Sequence, residues 1–448
     1  MPIAAVPKYL GKDFSNASPG LRFGMYLSIW TTRKDQRGEV EQRANQNSGE
    51  GREIKQLIKE VGMDDAIERL CRRKKNPVPR LWEKNTASAS TVWENVRKLS
   101  ACDQKTLEAL VARQDHLAAM VMPEQRLVVD AEAMAPFVTG LGHEHPLENG
   151  FAFYWPYGLP YLPGSGVKGV LRQAARELVA ASAAAGNPDS AWSDEDITAL
   201  FGSEDSEQPA RGALHFWDVL PNTNGKALHL EVMTPHQTHY YQKGEPPHDC
   251  GQPIPICFLT VPPGARFTFH VMCDLSFLRG SASPELAEGG RWRTLLHQAF
   301  EHAFEWLGFG AKTAVGYGAL RLDPEAGRQR RQREGQARAE AARQAALEAA
   351  TAGLPDDAAQ IERWRAGSDW QDNNRFLEQV EGLLEHRTPL SAEACERLRV
   401  ELNARWKGIL ADPNAVQGKK KKFRFKPRPR NLALRLIELC QAGEGGPP

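Results

Sequence analysis

Two glycine-rich stretches hold the residues best placed to do chemistry: Gly164-Ser165-Gly166-Val167-Lys168-Gly169 and Gly308-Phe309-Gly310-Ala311-Lys312-Thr313-Ala314-Val315-Gly316-Tyr317-Gly318. The first fits G-x-G-x-x-G, lies after an extended aromatic segment and opens an Ala/Leu/Arg run of helical period, Val167–Ala185. As a dinucleotide fingerprint the match is poor. Lys168 sits inside the loop, no βαβ repeat follows, and the surrounding order does not suit a parallel sheet. Anion binding is the chemistry that remains. Glycines let a backbone approach a ligand closely, and a helix N-terminus offers unpaired N–H groups. Ser165 is a candidate N-cap, and Lys168 and Arg172, four apart, share a helical face. Together they suit one or two phosphates, and equally a tight turn before a capped helix with two solvated cations.

The second stretch places four glycines in eleven residues, Gly308, Gly310, Gly316 and Gly318. Lys312-Thr313 invites a Walker reading, but Ala311 stands where a glycine is required. One reading is a backbone nest with Lys312 against phosphates and Tyr317 stacking on a base. The other is a turn whose glycines satisfy geometry alone.

Three further groups carry possible chemistry. His143-Glu144-His145-Pro146 follows Gly142 and offers an imidazole general base, or ordinary loop histidines. His236, His239, His248, Cys250 and Cys257 crowd one segment, but their spacing matches no structural zinc pattern, so no metal or cofactor is expected. The run Lys419-Lys420-Lys421-Lys422-Phe423-Arg424-Phe425-Lys426-Pro427-Arg428-Pro429-Arg430 sets eight cations in twelve positions, with Phe423 and Phe425 between them. That interleaving suits RNA phosphates and stacked bases, as well as a solvated tail.

The elements that must position these residues follow from length and patterning. A chain of 448 residues with 41% hydrophobic and 25% charged residues is ordinary for a globular protein of two or three units. No run is apolar and long enough to span a membrane, and seven dispersed cysteines read as reduced thiols, so a cytoplasmic location is expected. Net charge is segregated: +6 over residues 1–120, −10 over 121–324 and +5 over 325–448. An acidic middle excludes a uniformly basic nucleic-acid cradle, so any phosphate site there must be local. Residues 1–125 read as one strand (Leu21–Trp30), a loop (Thr31–Glu53) and helices over Ile54–Lys75 and Ser90–Met122. Residues 126–324 give strands and helices in the order β-α-β-β-α-β, an α+β, ferredoxin-like arrangement. Residues 325–448 read as helices, among them Ala358–Leu384 and Ser391–Leu410, with the basic segment 419–430 before a last short helix.

Several ordered motifs now become specific. Gly158-Leu159-Pro160-Tyr161-Leu162-Pro163-Gly164-Ser165-Gly166-Val167-Lys168-Gly169 resembles a signature of the RAMP superfamily of CRISPR proteins, and Gly308–Gly318 resembles that superfamily's C-terminal glycine-rich loop. Gly140-Leu141-Gly142, Pro146–Gly150, Leu200-Phe201-Gly202, Phe216-Trp217-Asp218, Val232–His236 with Tyr240-Tyr241, and Pro253–Leu259 are similar to the sixth-subunit family of the type III-B (Cmr) effector complex. The resemblance covers about Arg126–Leu322, and Gly166 departs from it by replacing a second serine. It implies an RRM-like RAMP core and a non-catalytic subunit that caps the protein filament near the guide RNA 3′ end. The implied partners are CRISPR guide RNA, other RAMP backbone subunits and the small helical subunit, with target RNA reached indirectly. Guide-phosphate contacts are then expected through Ser165, Lys168, Arg172 and Lys312 with the glycine amides of both segments, and RNA contact also at Thr313, Tyr317 and His236. Two alternatives stay open: a RAMP endoribonuclease that matures guide RNA with His143 or His145 as base, and a RAMP subunit of another type III complex.

Overall fold

The computed structural model describes residues 13–27, 29–74, 77–78, 82–84, 89–184, 192–203, 209–235, 237–246, 253, 255–386, 390–417 and 422–444. The chain divides into two compact units, Met1–Arg328 and Gln329–Pro448.

The centre of the first unit runs α1 (Ala101–Met120), β1 (Arg126–Ala133), α2 (Gly164–Ala184), α3 (Asp194–Phe201), β2 (Leu214–Phe216), β3 (Arg266–Cys273), α4 (Arg291–His302) and β4 (Leu320–Leu322). Along β1, Leu127, Val129, Ala131 and Ala133 are buried while Val128, Asp130 and Glu132 are partly exposed, the two-residue period of a strand with one well-covered face. The four strands form one sheet in the order β4-β1-β3-β2, antiparallel at every pairing. Its covered face meets Leu171, Ala174 and Ala175 of α2 and Trp292, Leu296 and Phe300 of α4 in one core. There Phe269 packs edge-on against Phe300, 5.2 Å between centroids. Each fully buried side chain of this size is worth about 2–3 kcal/mol. The opposite face is polar. Thr268 donates to Asp130 at 2.9 Å, Arg321 pairs with Glu132 at 2.8 Å, and Asp115 of α1 meets His270 at 3.1 Å.

Before α1 the structure departs from the sequence reading at several points, most of them marked by a local capping signal. Leu21–Trp30 is not a strand: Ser18 accepts the Leu21 N–H and Pro19 opens a short helix, Pro19–Gly24, before a strand at Trp30–Thr32. The expected loop 31–53 contains the helix Lys34–Asn45 and the start of a second, Gly49–Val61. The expected helix Ile54–Lys75 is broken by Gly62, whose φ of 80° only glycine adopts freely, so a further helix starts at Met63. The segment Ser90–Met122 is likewise two helices, because Ser100 and Asp103 form a capping box that starts α1 afresh.

In the second unit, Trp370, Phe376, Leu384, Leu398, Leu402 and Leu436 build a separate core. The region read as one helix from Ala358 to Leu384 is Asp356–Arg365, a 3₁₀ turn at Ser368–Gln371 and Asn373–His386. Helices Ala392–Arg405 and Pro427–Glu444 also belong to this unit.

Candidate nucleic-acid interface

The first glycine segment is not a loop; it is the first turn and a half of α2, which begins at Gly164. Gly164 is demanded by packing, since a Cβ there would come within 2.2 Å of the Phe216 carbonyl oxygen on β2. Its N–H donates to Asp218 Oδ1 at 2.7 Å, while Gly166 and Val167 donate to the Pro163 carbonyl at 2.9 and 3.2 Å. The helix is therefore started by Pro163 and Asp218. Ser165 is an exposed first-turn residue rather than the N-cap, because the helix has already begun one residue earlier.

Arg172 also differs from its sequence role. Its guanidinium donates to the carbonyls of Phe201 and Gly202, at 2.7 and 2.8 Å, capping the C-terminus of α3 where cations suit the helix dipole. Lys168, on the same helix, makes no hydrogen bond or ion pair among the described residues. Partial burial, and then the neighbouring Arg172 charge, hold its pKa below the usual lysine value. Both causes disfavour the lone ammonium, and an arriving anion would offset both. Gly169 is exposed, and a Cβ added to it would find nothing within 4 Å; one added to Gly166 would make only ordinary contact with Leu162. Neither glycine is required by a positive φ. Packing thus explains Gly164 and leaves Gly166 and Gly169 without a packing role, beside a lysine with no partner among the described residues.

The second segment is tightly built. Gly308, Gly310, Gly316 and Gly318 have φ of 68, 91, 94 and 70°, and Lys312 is itself left-handed at 61°. A Cβ at Gly310 would meet the Val138 carbonyl, and one at Gly318 the Phe309 carbonyl. The N–H groups of Gly308, Phe309, Ala311, Val315, Gly316, Tyr317 and Gly318 all donate to backbone carbonyls of this unit. Most of the expected nest is therefore used by the turn itself. Thr313 packs its methyl beside Gly308. Tyr317 is no free stacking platform, since its ring lies 5.7 Å from Phe258 and its hydroxyl bonds Glu231. Burial, then the Glu231 charge, push the Tyr317 pKa up. Lys312 lies half-buried with Nζ 5.9 Å from the Phe258 ring centroid. No hydrogen bond, ion pair or ring contact among the described residues joins this segment to Gly164–Gly169.

His145 cannot serve as a free base. Leu147 N–H donates to Nδ1 at 3.1 Å, which leaves the proton on Nε2 to donate to the Phe23 carbonyl at 2.9 Å. The ring is also stacked on Phe23 at 3.7 Å. His143 is exposed. His236, His248 and Cys250 lie outside the described residues, as do Lys419, Lys420 and Lys421. Lys422, Phe423, Arg424 and Lys426 are exposed, but Arg430 covers the Phe423 ring at 3.9 Å. Phe425 is buried in the second unit's core rather than offered to a base. Arg428 is committed to Glu381 at 2.7 Å.

Sequence reasoning missed Asp218 as the anchor of α2. The signal available was a carboxylate in Phe216-Trp217-Asp218, directly after a strand, but nothing in the sequence pairs it with a glycine 54 residues earlier.

Residues 130–321 match the family model of the RAMP superfamily. The chain is 31% identical over 238 residues to the CRISPR system Cmr subunit Cmr6 of Pyrococcus furiosus, an alignment covering 41% of this chain and 64% of that relative. The chain thus spans just under two thirds of that relative's length. Among solved structures it is similar to a chain of the type III-B Cmr-beta complex bound to cognate target RNA, at 19% identity over 52% of this chain and 70% of that one, with a TM-score of 0.37. It is also similar to Cmr6 from Pyrococcus furiosus, at 24% identity over 45% of this chain and 100% of that one, with a TM-score of 0.28.

Proposed function

We propose, on the premise that residues 130–321 are a RAMP-superfamily domain, that this chain is a structural, guide-RNA-holding subunit of a type III-B CRISPR effector complex. In this reading the β-α-β-β-α-β order and the strand order β4-β1-β3-β2 make a ferredoxin-like, RRM-like core. The subunit caps the filament near the guide 3′ end and touches RAMP backbone subunits and the small helical subunit, with target RNA reached through the guide. It is scaffold rather than catalyst. The locked His145 supports that reading, because it removes one of the two imidazoles a guide-processing enzyme would use. The complex would work in the cytoplasm.

The observation that carries the proposal is Lys168. A part-buried ammonium without a counter-ion among the described residues, beside the uncrowded Gly169 and the exposed Ser165, makes a local phosphate site within an otherwise acidic segment. Phosphate contacts of this kind position RNA without reading its sequence. Lys312 supplies a second cation on the other glycine segment.

The test is equilibrium binding of the full chain to guide RNA over a series of salt concentrations. Lys168→Ala should weaken binding about tenfold, about 1.4 kcal/mol. It should also lower the slope of log K against log salt by about 0.7–0.9, one phosphate contact. Lys168→Arg should keep both. An unchanged affinity and slope in the alanine variant would sink the assignment.

A further inference from the structure

A groove of about 400 Å³ lies beside the start of α2, between Leu110, Arg113, Gln114 and Leu117 of α1 and the segment after β2. Its walls are aromatic, with Tyr154 on one part and Trp217 on another, and Leu110 and Leu220 supply apolar surface. Both rings are held in place. Tyr154 stacks on Tyr157 at 6.0 Å and leans on Tyr161 at 5.4 Å. Trp217 stacks on His270 at 5.4 Å, and its backbone N–H donates to the His270 carbonyl. Fixed rings lose little entropy when a flat ligand arrives.

The groove's charges decide what that ligand is. Arg113 lines it, is exposed, and makes no hydrogen bond or ion pair among the described residues. Asp218 also lines it, and the same carboxylate holds the Gly164 N–H. The groove is therefore joined directly to the helix whose next turn carries Lys168, four residues and about 6 Å of helical rise beyond Gly164. Flat rings with one cation on the groove wall and a second, one helical turn past Gly164, neither with a partner among the described residues, match a chain of bases and phosphates. An apolar protein side chain would use the walls but leave both cations unanswered.

We propose that this groove is a nucleotide subsite, in which Tyr154 and Trp217 stack a base of single-stranded RNA while Arg113 and Lys168 take its flanking phosphates. The proposal rests on the guide-RNA reading above and extends it from a phosphate contact to a base-stacking pocket. Stacking tolerates any base, so the subsite adds affinity without sequence preference. The acceptor on Asp218 would favour bases with an exocyclic amine only modestly.

The experiment measures binding of the full chain to fluorescein-labelled eight-nucleotide oligo(A) and oligo(U) and to guide RNA, by anisotropy across a salt series, with thermal melts confirming the fold. Tyr154→Leu and Trp217→Leu should each weaken binding about tenfold with the salt slope unchanged, because stacking releases no counterions. Trp217→Phe should restore most of the loss, which a merely structural tryptophan would not predict for RNA binding at matched stability. Arg113→Ala, at an exposed position, should weaken binding and lower the slope by about 0.7. Normal affinity and slope in Arg113→Ala and Tyr154→Leu, alongside weakened binding by Lys168→Ala, would overturn the groove and leave the guide-RNA reading standing. Absence of RNA binding by the wild-type chain would overturn both. Loss of a partner subunit with RNA affinity intact would assign the groove to protein and overturn the proposal.

Discussion

Glycine does two opposite jobs at the two motifs, and single methyl groups separate them. At Gly318 an added Cβ would drive into the Phe309 carbonyl, and φ is 70°, so both sterics and backbone conformation forbid alanine. Gly318→Ala should cost several kcal/mol, about 2–4 by analogy with other clashing or strained positions. Gly169 is different. It is exposed, helical and surrounded by open space, and a helical glycine costs about 0.5–1 kcal/mol relative to alanine. Gly169→Ala should therefore raise the thermal midpoint while weakening RNA binding, since the methyl would stand where the backbone meets a phosphate. Calorimetry and RNA titration of that variant check the two halves. Equal or tighter RNA binding would mean that Gly169 has no role at the interface. The pattern G-x-G-x-x-G and the density of glycine made both motifs visible in the sequence, but only the positions of Phe216, Val138 and Phe309 separate a packing glycine from an exposed one.

Helix ends explain most of what was legible and most of what was not. Hydrophobic period revealed helical segments from Ile54 onward, yet the breaks at Gly62 and Ser100 depend on one φ value and one reciprocal pair of side-chain hydrogen bonds. In the second unit a single carboxylate ties two such ends together. Asp357 lies in the first turn of Asp356–Arg365 and accepts from the Ser391 N–H at 2.7 Å and the Ser391 hydroxyl at 2.8 Å, where Ser391 caps Ala392–Arg405. Burial works to raise its pKa, but the hydrogen bonds from Ser391 and Ala358 outweigh that and hold it below the ordinary value. A depressed carboxyl contributes stability that is present above its unfolded value, about 3.9, and is lost as pH falls through its lower folded value. Asp357→Ala should destabilise the second unit by about 1–3 kcal/mol near neutral pH, from lost hydrogen bonds and unpaired donors. Its denaturant midpoint should approach wild type as the medium is acidified below about pH 4. A gap that persists undiminished in acid would show that packing, not the charge, carries the effect.

At the scale of the whole chain, charge segregation was readable from composition, and the succession of the four sheet strands with α2 and α4 from patterning, whereas α3 was not. What the charge count could not show is which cations are already paired. On the polar face of the sheet Arg321 answers Glu132, and at the end of the chain Arg428 answers Glu381, so neither is free for phosphate. The basic run therefore splits. Phe425 belongs to the core of the second unit, and removing Lys419–Arg430 entire would take that anchor, the Arg428 pair and the first turn of Pro427–Glu444 with it. Phe425→Ala should cost about 3–5 kcal/mol, as emptying a buried aromatic site usually does. The four lysines 419–422 make a cleaner probe, since Lys422 is exposed and the substitution leaves Phe425 and Arg428 in place. Replacing all four with serine should leave the stability within about 0.5 kcal/mol of wild type, read from the thermal midpoint. If each lysine meets one phosphate of single-stranded guide RNA, the salt slope should fall by about 2.8. A slope unchanged by the fourfold substitution, while Lys168→Ala lowers it, would confine RNA contact to the acidic unit and leave the lysine run as solvated chain.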